Sequence, residues 1–564
     1  MKKFFSASLP LAFLLSLMIA FSSSGNLASE KRTVTFSKDV APIIFNNCAA
    51  CHRPNDIAPM SLLSYKDARP WAKSIKEKIL AHEMPPWSAD PKVGQFSNDP
   101  SLSQKDIDTI VAWVDQGAKE GNPQDLPAAP NFSDHWEIGK PDAVFQMPEE
   151  FEVSGAGADD YIYFRVPTGF TEDKWIQAAE FRPGNKRVVH HAVVFIETPE
   201  MMIAARAAAR GRSASDDKNA PSFFEIGAHS VFRKDGTVRR VREDAPVIDD
   251  GCSASHGGSL GGSTGGMLLA VYAPGRNADV WPEGTAKKIP AGSNLIFQMH
   301  YSKTTGKPEK DRTSVGLLFA REPVQKMILS HDTTNFFFRI PANADNHEAT
   351  ACYTVNKDVQ IINFMPHMHV RGKDMKYEAI YPDGRRETLL NVPRYNFNWQ
   401  TLYKLKNPVS VPKGTRIVVT AHFDNSTRNK YNPDPARNVR FGEPTYDEML
   451  VGFFDYITDK PKEKVIAKID PAIYDSYAGQ YIVGPGVNFS VIREGDRLMV
   501  AVPGQPKLEV FPESETRFFI RFVDAQVTFL RNDKGETTGL VFEMSGQRLR
   551  AKKVSKPDST AQKN

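Results

Sequence analysis

A long run of strand-like segments between residues 136 and 460 constrains the fold of this chain more than any other feature. The segments are short and β-like, and Gly, Pro and Asn separate one from the next, which is typical of antiparallel β-sandwiches. Examples are WIQAAEF, RVVHHAVVFIE, SNLIFQMHYS, VQIINFMPHMHV and TRIVVTAHFD. The run is roughly twice the size of one ordinary domain. We therefore predict two consecutive β-sandwich domains, over residues 136–340 and 341–460.

A different pattern precedes this run. Residues 33–120 end in an amphipathic segment in which Ile107 and Ile110 recur at helical spacing, and Ser103 stands where a helix-capping residue is expected. We predict a compact all-α domain there. Residues 121–135, with their Pro and Asn content, are expected to be a linker.

Short strands around turn signals such as Glu494-Gly495 and Asp533-Lys534-Gly535 follow the sandwich region. They predict a small antiparallel β domain at 465–555, which resembles a module often appended to serine β-lactamase-like enzymes. Residues 556–564 have the composition of a disordered tail. The predicted fold class is thus multidomain and mainly β, with one helical domain near the N terminus.

The first residues have the pattern of an export signal. Lys2 and Lys3 precede an apolar run from about Leu9 to Phe21, which is followed by small residues. We predict a signal peptide over residues 1–28 and a periplasmic location, with an uncleaved membrane anchor as the alternative. We expect no stable membrane insertion after cleavage, because the rest of the sequence contains no comparable apolar run.

Composition places the rest of the chain among ordinary soluble proteins. Of its residues 41% are apolar and 24% are charged, and the net charge of +4 is dispersed without a Lys/Arg block, so we expect no nucleic-acid partner. Four cysteines are too few for a disulfide framework. Cys252 and Cys352 could form a single disulfide in an oxidising compartment, and the sequence leaves that pairing open.

The sequence CAACH contains Cys48, Cys51 and His52 at the spacing of a c-type haem attachment site. Two thioether bonds would anchor the porphyrin, and the histidine would be an axial ligand of the iron. A zinc site would need a second ligand pair nearby, and a thioredoxin-like motif would need a βαβ context. We therefore predict one covalent haem c.

The second axial ligand is expected between this motif and the predicted last helix of the domain. Met84, in AHEMPPW, is our first choice, because its position resembles that of the axial methionine in class I cytochromes c. Met60, in IAPMSL, is the alternative and is otherwise a core residue. His82 is a weaker candidate.

Histidines and one methionine in four segments of the sandwich region form a candidate copper constellation. His367 and His369 are two residues apart, so on a strand both side chains leave the same face. His190 and His191 are adjacent and would point to opposite faces unless a bulge or a strand end intervenes. Imidazole suits copper in either oxidation state and thioether sulfur selects Cu(I), so including methionine favours copper over zinc. The candidate metal ligands are His190, His191, His300, His367, His369 and Met449.

These motifs, in the order HH, Q-x-H-Y, H-x-H and D-E-M, resemble the copper type II ascorbate-dependent monooxygenases, which include the peptide-amidating and dopamine-hydroxylating enzymes. The resemblance covers about residues 136–460 and implies two jelly-roll sandwiches, one copper on each and a solvent cleft between them. It implies an electron-transfer copper on the first three histidines. It assigns His367, His369 and Met449 to the copper that activates oxygen, which makes them the catalytic residues.

Three positions depart from the family pattern. Met365 and Phe453 stand where the peptide-amidating enzymes have arginine and tyrosine, which weighs against a peptidylglycine substrate. Leu450 replaces a cysteine that forms a disulfide in animal relatives. His422 could support or replace a ligand, although a structural role is favoured.

The sequence thus predicts an oxidoreductase that hydroxylates a C–H bond of an unknown small substrate with O2. The fused haem domain would supply the electrons and would itself be reduced by an upstream periplasmic donor. One alternative is a periplasmic haem and copper protein that transfers electrons or handles copper without oxygenase activity. Another is that the sandwiches are binding modules whose histidines are merely structural.

Overall fold

A computed structural model of the chain describes most of its residues. The described ranges are 32–54, 56–132, 136–157, 159–199, 201–202, 230–232, 239–241, 247–252, 267–275, 278–303, 305–460, 466–484, 487–501, 507–520, 525–544 and 547–554. The predicted signal peptide and the predicted disordered tail lie outside these ranges.

Helices are concentrated near the N terminus. They are a π-helix at Phe36–Val40, α1 (Ala41–Asn47), α2 (Tyr65–Ala68), a 3-10 helix at Arg69–Trp71, α3 (Ala72–Leu80), α4 (Gln104–Asp115) and a 3-10 helix at Pro123–Asp125. Ser103 caps α4 by accepting a hydrogen bond from the backbone N–H of Asp106, as its position predicted. That this helical unit is a cytochrome c domain stays a prediction. No helix within the described ranges combines the length and the apolar character needed to cross a membrane.

Strands make up most of the remaining structure. The first sandwich region contains β1 (Ala143–Gln146), β2 (Phe151–Val153), β3 (Asp160–Pro167), β4 (Lys174–Arg182), β5 (Val189–Glu197), β6 (Ser230–Phe232), β7 (Arg239–Val241), β8 (Asp250–Gly251), β9 (Met267–Tyr272), β10 (Ala278–Val280), β11 (Thr285–Ile289), β12 (Asn294–Tyr301), β13 (Glu309–Asp311) and β14 (Ser314–Phe319). The second contains β15 (Lys326–Thr334), β16 (Arg339–Ile340), β17 (His347–Thr354), β18 (Val359–His367), β19 (Gly372–Ile380), β20 (Arg386–Val392), β21 (Tyr403–Val411), β22 (Arg416–Phe423), β23 (Val439–Arg440) and β24 (Val451–Asp459).

One nine-stranded sheet runs through both regions in the order β1-β14-β4-β11-β15-β24-β18-β21, with β10 also paired to β4. A four-stranded sheet, β3-β12-β5-β9, shares a core with its first half, where Ile176 and Val315 meet Val194 and Phe297. A five-stranded sheet, β20-β19-β22-β17-β8, shares a second core with its other half. The prediction of a mainly β chain is confirmed, and the jelly-roll topology stays a prediction.

The two halves of the large sheet are joined where β11 pairs in parallel with β15. Lys287 on β11 is buried there, and its Nζ donates to the carbonyl of Leu269 at 2.9 Å and to Ser330 Oγ at 2.7 Å. It also lies 3.4 Å from the carboxylate of Asp455 on β24. Strand β15, which precedes the predicted division at residue 340, pairs along its whole length with β24. The sheet is therefore continuous across the junction.

The C-terminal strands close into an eight-stranded antiparallel barrel. They are β25 (Gly479–Gly484), β26 (Val487–Glu494), β27 (Arg497–Ala501), β28 (Leu508–Pro512), β29 (Arg517–Ile520), β30 (Ala525–Arg531), β31 (Thr537–Met544) and β32 (Gln547–Lys553). A 3-10 helix at Pro471–Ile473 and α5 (Tyr474–Tyr477) precede them. Closure leaves no exposed sheet edge, which suits a domain of this size. The antiparallel β domain predicted here is thus a barrel.

Cys252 and Cys352 form a disulfide with their Cα atoms 5.0 Å apart. The bond ties the end of β8 to β17, with which β8 pairs in parallel. The sequence separation of 100 residues makes the closed loop long. In the chain-entropy model such a loop restricts the unfolded chain by about 4–5 kcal/mol.

We predict that replacing both cysteines with serine lowers the free energy of unfolding of the sandwich regions by about 2–5 kcal/mol. Denaturant unfolding without reductant measures the change. The internal control is the same comparison in strong reductant, where wild type and Cys252→Ser/Cys352→Ser should be equally stable. Equal stability without reductant would contradict the prediction.

Candidate metal centre

A β-bulge in β5 brings two adjacent histidines to the same side of the sheet. Where β5 pairs with β12, His300 lies opposite His191 and Tyr301 lies opposite Val189, so His190 is the extra residue. Such a residue bends its strand and redirects the neighbouring side chains. The sequence made a bulge or strand end the condition for joint ligation by these two histidines, and the structure meets it.

The side chains of His190, His191 and His300, which we call the first cluster, converge through their Nδ1 atoms. The Nδ1 of His191 lies 3.4 Å from that of His190 and 3.2 Å from that of His300. One ligand atom from each side chain lies within 4.8 Å of the other two. Three nitrogens bonded to one ion at about 2 Å in a plane would be about 3.5 Å apart. The spacing therefore fits a single metal ion.

The surroundings of His300 determine which of its nitrogens is available. Its Nε2 donates to Asp159 Oδ2 at 2.9 Å, which leaves the lone pair on Nδ1. The hydroxyl of Thr445 donates to the same carboxylate oxygen at 3.1 Å. The ring of Tyr161 stacks on the imidazole with the centroids 4.1 Å apart. The orientation of His300 is thus fixed on two sides by groups that leave Nδ1 facing the cluster.

His367 and His369, with Met449, form what we call the second cluster. His367 is the last residue of β18, and His369 lies just beyond it; their ring centroids are 5.4 Å apart. The Nδ1 of His367 donates to Gln400 Oε1 at 2.8 Å, and that of His369 donates to the backbone carbonyl of Asp447 at 3.1 Å. The Nε2 atoms are left for a metal. In the described part of the chain, His369 Nε2 is buried and has no hydrogen-bond partner.

Met449 is held beside His369 by Glu448. One carboxylate oxygen of Glu448 accepts from the backbone N–H of His369 at 2.8 Å and from that of Met449 at 3.1 Å. The other oxygen accepts from the backbone N–H of Arg371 at 2.7 Å. A single buried carboxylate therefore connects the loop that follows β18 to the segment that precedes β24.

Glu448 is fully buried, as is Arg371. Burial raises the pKa of Glu448 to about 7, while the charge of Arg371 and the three N–H donors act in the opposite direction. Arg371 Nε in turn donates to Asn425 Oδ1 at 2.9 Å. The second cluster thus rests on a polar network inside the core, and a buried network of this kind fixes geometry because leaving any member unpaired is costly.

The two clusters share one buried centre. The rings of His191 and His367 are 5.9 Å apart between centroids. Phe397 stacks on His190 at 4.6 Å and lies 5.9 Å from His369. The family resemblance implied a solvent cleft between the metal sites; in the structure the rings are in near contact, and an aromatic side chain lies against both clusters.

All five histidines are neutral at pH 7. Burial lowers the pKa of His190 and of His367 to about 4. Burial also places the pKa values of His191, His300 and His369 well below the usual range, and neighbouring histidines add to the shift. Neutral imidazoles keep the lone pairs that metal ligation needs.

This donor set fits copper. Metal-binding histidines in proteins typically donate their second ring N–H to a carboxylate or carbonyl, and His300, His367 and His369 each do so here. Three imidazoles in the first cluster, and two imidazoles beside a methionine in the second, are ligand types that copper accepts. The residues present therefore match the expected metal.

The C-x-x-C-H motif lies at the end of α1. Cys48 is the helix C-cap, and its carbonyl accepts from the N–H of both Cys51 and His52 in a tight turn. Both cysteines are free thiols. His52 Nδ1 lies 3.3 Å from the backbone carbonyl of Met60, to which it can donate, and this leaves Nε2 for an iron atom. That haem c is attached at this motif stays a prediction.

The candidates for the second axial ligand occupy different places. Met60 packs partly buried against the helical core, and its backbone carbonyl faces His52 Nδ1. Met84 is half-buried in the turn that follows α3. His82, in the same turn, is exposed.

His422 lies between two carboxylates on the neighbouring strands. Its Nδ1 is 2.7 Å from Asp374 and its Nε2 is 3.2 Å from Glu348. Both ring nitrogens are therefore occupied in the five-stranded sheet, in agreement with the structural role that the sequence favoured.

Four supporting residues escaped the sequence analysis: Asp159, Phe397, Gln400 and Glu448. Glu448 could have been found, because it stands inside the D-E-M motif directly before Met449. Gln400 and Phe397 belong to the connection between β20 and β21, which carries no recognisable motif. Asp159 reaches His300 only because β3 pairs with β12.

Comparison with characterised proteins yields one partial relative. A penicillin-binding protein of Bacillus subtilis (strain 168) is 34% identical over 108 residues, which are 19% of this chain and 22% of that protein. The chain thus spans about a fifth of that relative's length.

Two of the solved structures that match are remote in sequence. A structure of PNGF-II matches at 11% identity over 55% of this chain and 61% of its own, with a TM-score of 0.23. The major capsid protein P2 of bacteriophage PM2 matches at 7% identity over 57% of this chain and 98% of its own, with a TM-score of 0.20.

Two family models match the chain. Residues 463–553, which contain the barrel, match a domain described as "Domain of unknown function (DUF3471)". Residues 327–478 match "Copper type II ascorbate-dependent monooxygenase, C-terminal domain". The second match begins within β15 and includes every residue of the second cluster. It supports copper binding and an oxidoreductase, and it shows that residues 327–478 are similar to the C-terminal domain of that family.

Proposed function

We propose that this chain is an exported copper-dependent monooxygenase that hydroxylates a C–H bond of a small, uncharged substrate with O2. Two coppers would be bound, one at each cluster, and haem c attached to the helical unit would supply the electrons. The observation that carries the proposal is the shared buried centre, in which five neutral histidines converge and Glu448 holds the backbone of Met449 beside them. The second ring nitrogens of His300, His367 and His369 are already hydrogen-bonded.

Copper at these ligands would supply one-electron redox chemistry and the activation of O2. The chain's own residues prepare the site. Asp159 keeps the proton of His300 on Nε2, whereas Gln400 and the carbonyl of Asp447 keep the protons of the second-cluster histidines on Nδ1. Phe397 and the surrounding core keep water away from the histidine rings.

The substrate class follows from the side chains beside His367. Met365, Val271 and Leu402 form a buried apolar cluster at the junction of the two sandwich regions. Phe453 packs against this cluster, and its ring lies 6.3 Å from that of His367. The side chains of this wall are apolar and would suit an apolar group.

Haem attachment is the second part of the proposal. The backbone carbonyl of Met60 lies 3.3 Å from His52 Nδ1, the ring nitrogen that would not hold the iron. This supports Met84 as the second ligand of the iron. Met84 lies in the turn that precedes residues 87–98, which pack on the second sandwich region.

Export to the periplasm is also proposed, on the sequence of residues 1–28. The disulfide between Cys252 and Cys352 supports it, since structural disulfides persist in oxidising compartments. The expected partners are a small-molecule substrate, O2 and a periplasmic electron donor.

We predict a copper-to-haem ratio near two in protein exported from a host that matures c-type cytochromes. Elemental analysis and the pyridine haemochrome measure it. His191→Ala should lower the ratio to about one, because it removes the central ligand of the first cluster. His422→Ala, which removes a histidine outside both clusters, should leave it at two. A ratio near zero after copper loading would overturn the proposal, and two coppers without turnover on any substrate would favour copper handling.

We predict that Met449→Leu removes sulfur from the coordination of the second copper. Leucine keeps most of the buried volume, so the fold should persist. X-ray absorption of the Cu(I) protein should lose its sulfur scattering, and hydroxylation should fall by about two orders of magnitude or more, with haem content unchanged. Met375→Leu, at a buried methionine in the core of the second region, is the matched control. Unchanged sulfur scattering in Met449→Leu would remove Met449 from the ligand set.

We predict that Glu448→Gln weakens Cu(I) binding at the second cluster by about 10–100-fold, the usual effect of losing a supporting group. The amide nitrogen of glutamine cannot accept the N–H groups that the carboxylate accepts. Competition with a Cu(I) chelator measures the affinity, and copper retained at the first cluster shows that the fold is intact. Glu387→Gln, an exposed glutamate on β20, is the control. Equal affinities in both variants would show that Glu448 does not position the ligands.

A further inference from the structure

The loop of the C-x-x-C-H motif is held against the first sandwich region by an ion pair. The Nζ of Lys186 donates to Asp56 Oδ2 at 2.7 Å, and the side chains are only 24% and 10% exposed. Arg53 also donates to this carboxylate, at 3.0 Å, and the other oxygen accepts from the backbone N–H of Ile57 at 2.9 Å. The carboxylate of Asp56 is thus fixed within its own loop and presented to Lys186.

A second contact lies beside the ion pair. A Cβ added to Gly275 would lie 4.0 Å from Cys51 Sγ, so this glycine faces the motif's second cysteine. Its φ of +80° also favours glycine. Cys51 therefore lies directly against the backbone that follows β9.

Both contacts lie close to the first cluster along the chain. Lys186 precedes His190 by four residues, in the turn that leads into β5. Tyr272, three residues before Gly275, pairs with Ala192, the residue after His191. The motif loop therefore touches the turn that leads into β5, the strand of the adjacent histidines, and the segment that follows β9, which pairs with β5.

We propose that Lys186 is a docking residue that holds the motif loop in place, so that electrons leave the haem unit beside Cys51 and enter the first cluster. The inference rests on the proposed function, because it assumes haem at Cys48 and Cys51 and copper at the first cluster. In each transfer, ferrous haem loses one electron and cupric copper gains it, and no covalent bond forms or breaks.

Other contacts keep the helical unit attached when this ion pair is removed. Phe96 bridges to Leu405 on β21, and the backbone N–H of Ser97 donates to the carbonyl of Lys404 at 2.8 Å. Trp87 packs on Tyr403 with centroids 4.7 Å apart. These contacts join residues 87–98 to the second sandwich region, so a substitution at Lys186 should loosen the motif loop without detaching the unit.

The test compares Lys186→Gln with Lys186→Arg in the haem- and copper-loaded protein. Protein with ferrous haem and cupric copper is prepared without oxygen or substrate. Stopped-flow absorption then follows the oxidation of the haem. Lys186→Gln should slow it about tenfold or more, because small displacements of positioned groups cost rate steeply. Lys186→Arg, which can still pair with Asp56, should recover most of the rate. Lys310→Gln removes an exposed ion pair of the same region and should have no effect.

A second measurement, on protein without cofactors, tests the docking of the motif loop separately. In protein produced without haem attachment, Lys186→Gln should speed alkylation of Cys51, which the docked loop partly shields, and should leave the melting temperature nearly unchanged. Normal haem and copper content with an unaltered transfer rate in Lys186→Gln would overturn the docking role alone. Absence of haem from the wild-type protein would instead overturn the proposed function.

Discussion

The metal centre depends on the sheet that runs through the junction of the two sandwich regions. β24 lies between β15 and β18, and β15 pairs with β11 of the first region. This pairing places His367, at the end of β18, opposite the first cluster. A slip of one residue would turn the side chains of β18 to the other face of the sheet and would move His367 away from His191. Asp455 opposes such a slip, because its carboxylate accepts a hydrogen bond from Asn363 Nδ2 on β18 at 3.0 Å and also contacts Lys287 on β11.

Hydrogen bonds make the two clusters present different ring nitrogens to a metal. The first cluster presents Nδ1 atoms and the second presents Nε2 atoms, because Asp159 occupies the outer nitrogen of His300 while Gln400 and Asp447 occupy the other nitrogen of the second-cluster histidines. Sulfur from Met449 would favour Cu(I) at the second cluster, whereas imidazole alone suits both oxidation states at the first. Two coppers held so close together would therefore differ in redox preference, which is what a division between electron transfer and oxygen activation requires.

The sequence predicted what is encoded locally. The spacing of His367 and His369, the capped helix at Ser103 and the strands of the C-terminal domain all follow from short-range patterns. The bulge at His190 does not, because it arises from pairing with β12, about a hundred residues further along the chain. Gln400 and Phe397 reach the histidines from a connecting loop whose path is set by packing. Nor could the short distance between the clusters be predicted, since it depends on the register of strands from both regions.

The helical unit contacts both sandwich regions. These contacts suggest a physical reason for joining the three parts in one chain. Residues 87–98 pair with β21 of the second region, while Asp56 pairs with Lys186 of the first. A donor held in this way is present at a fixed distance, so its delivery of electrons does not depend on encounters with a soluble reductant. Binding to both regions also restrains their junction, where the clusters meet. The same contacts that would orient a haem group would therefore also help to keep the two clusters together.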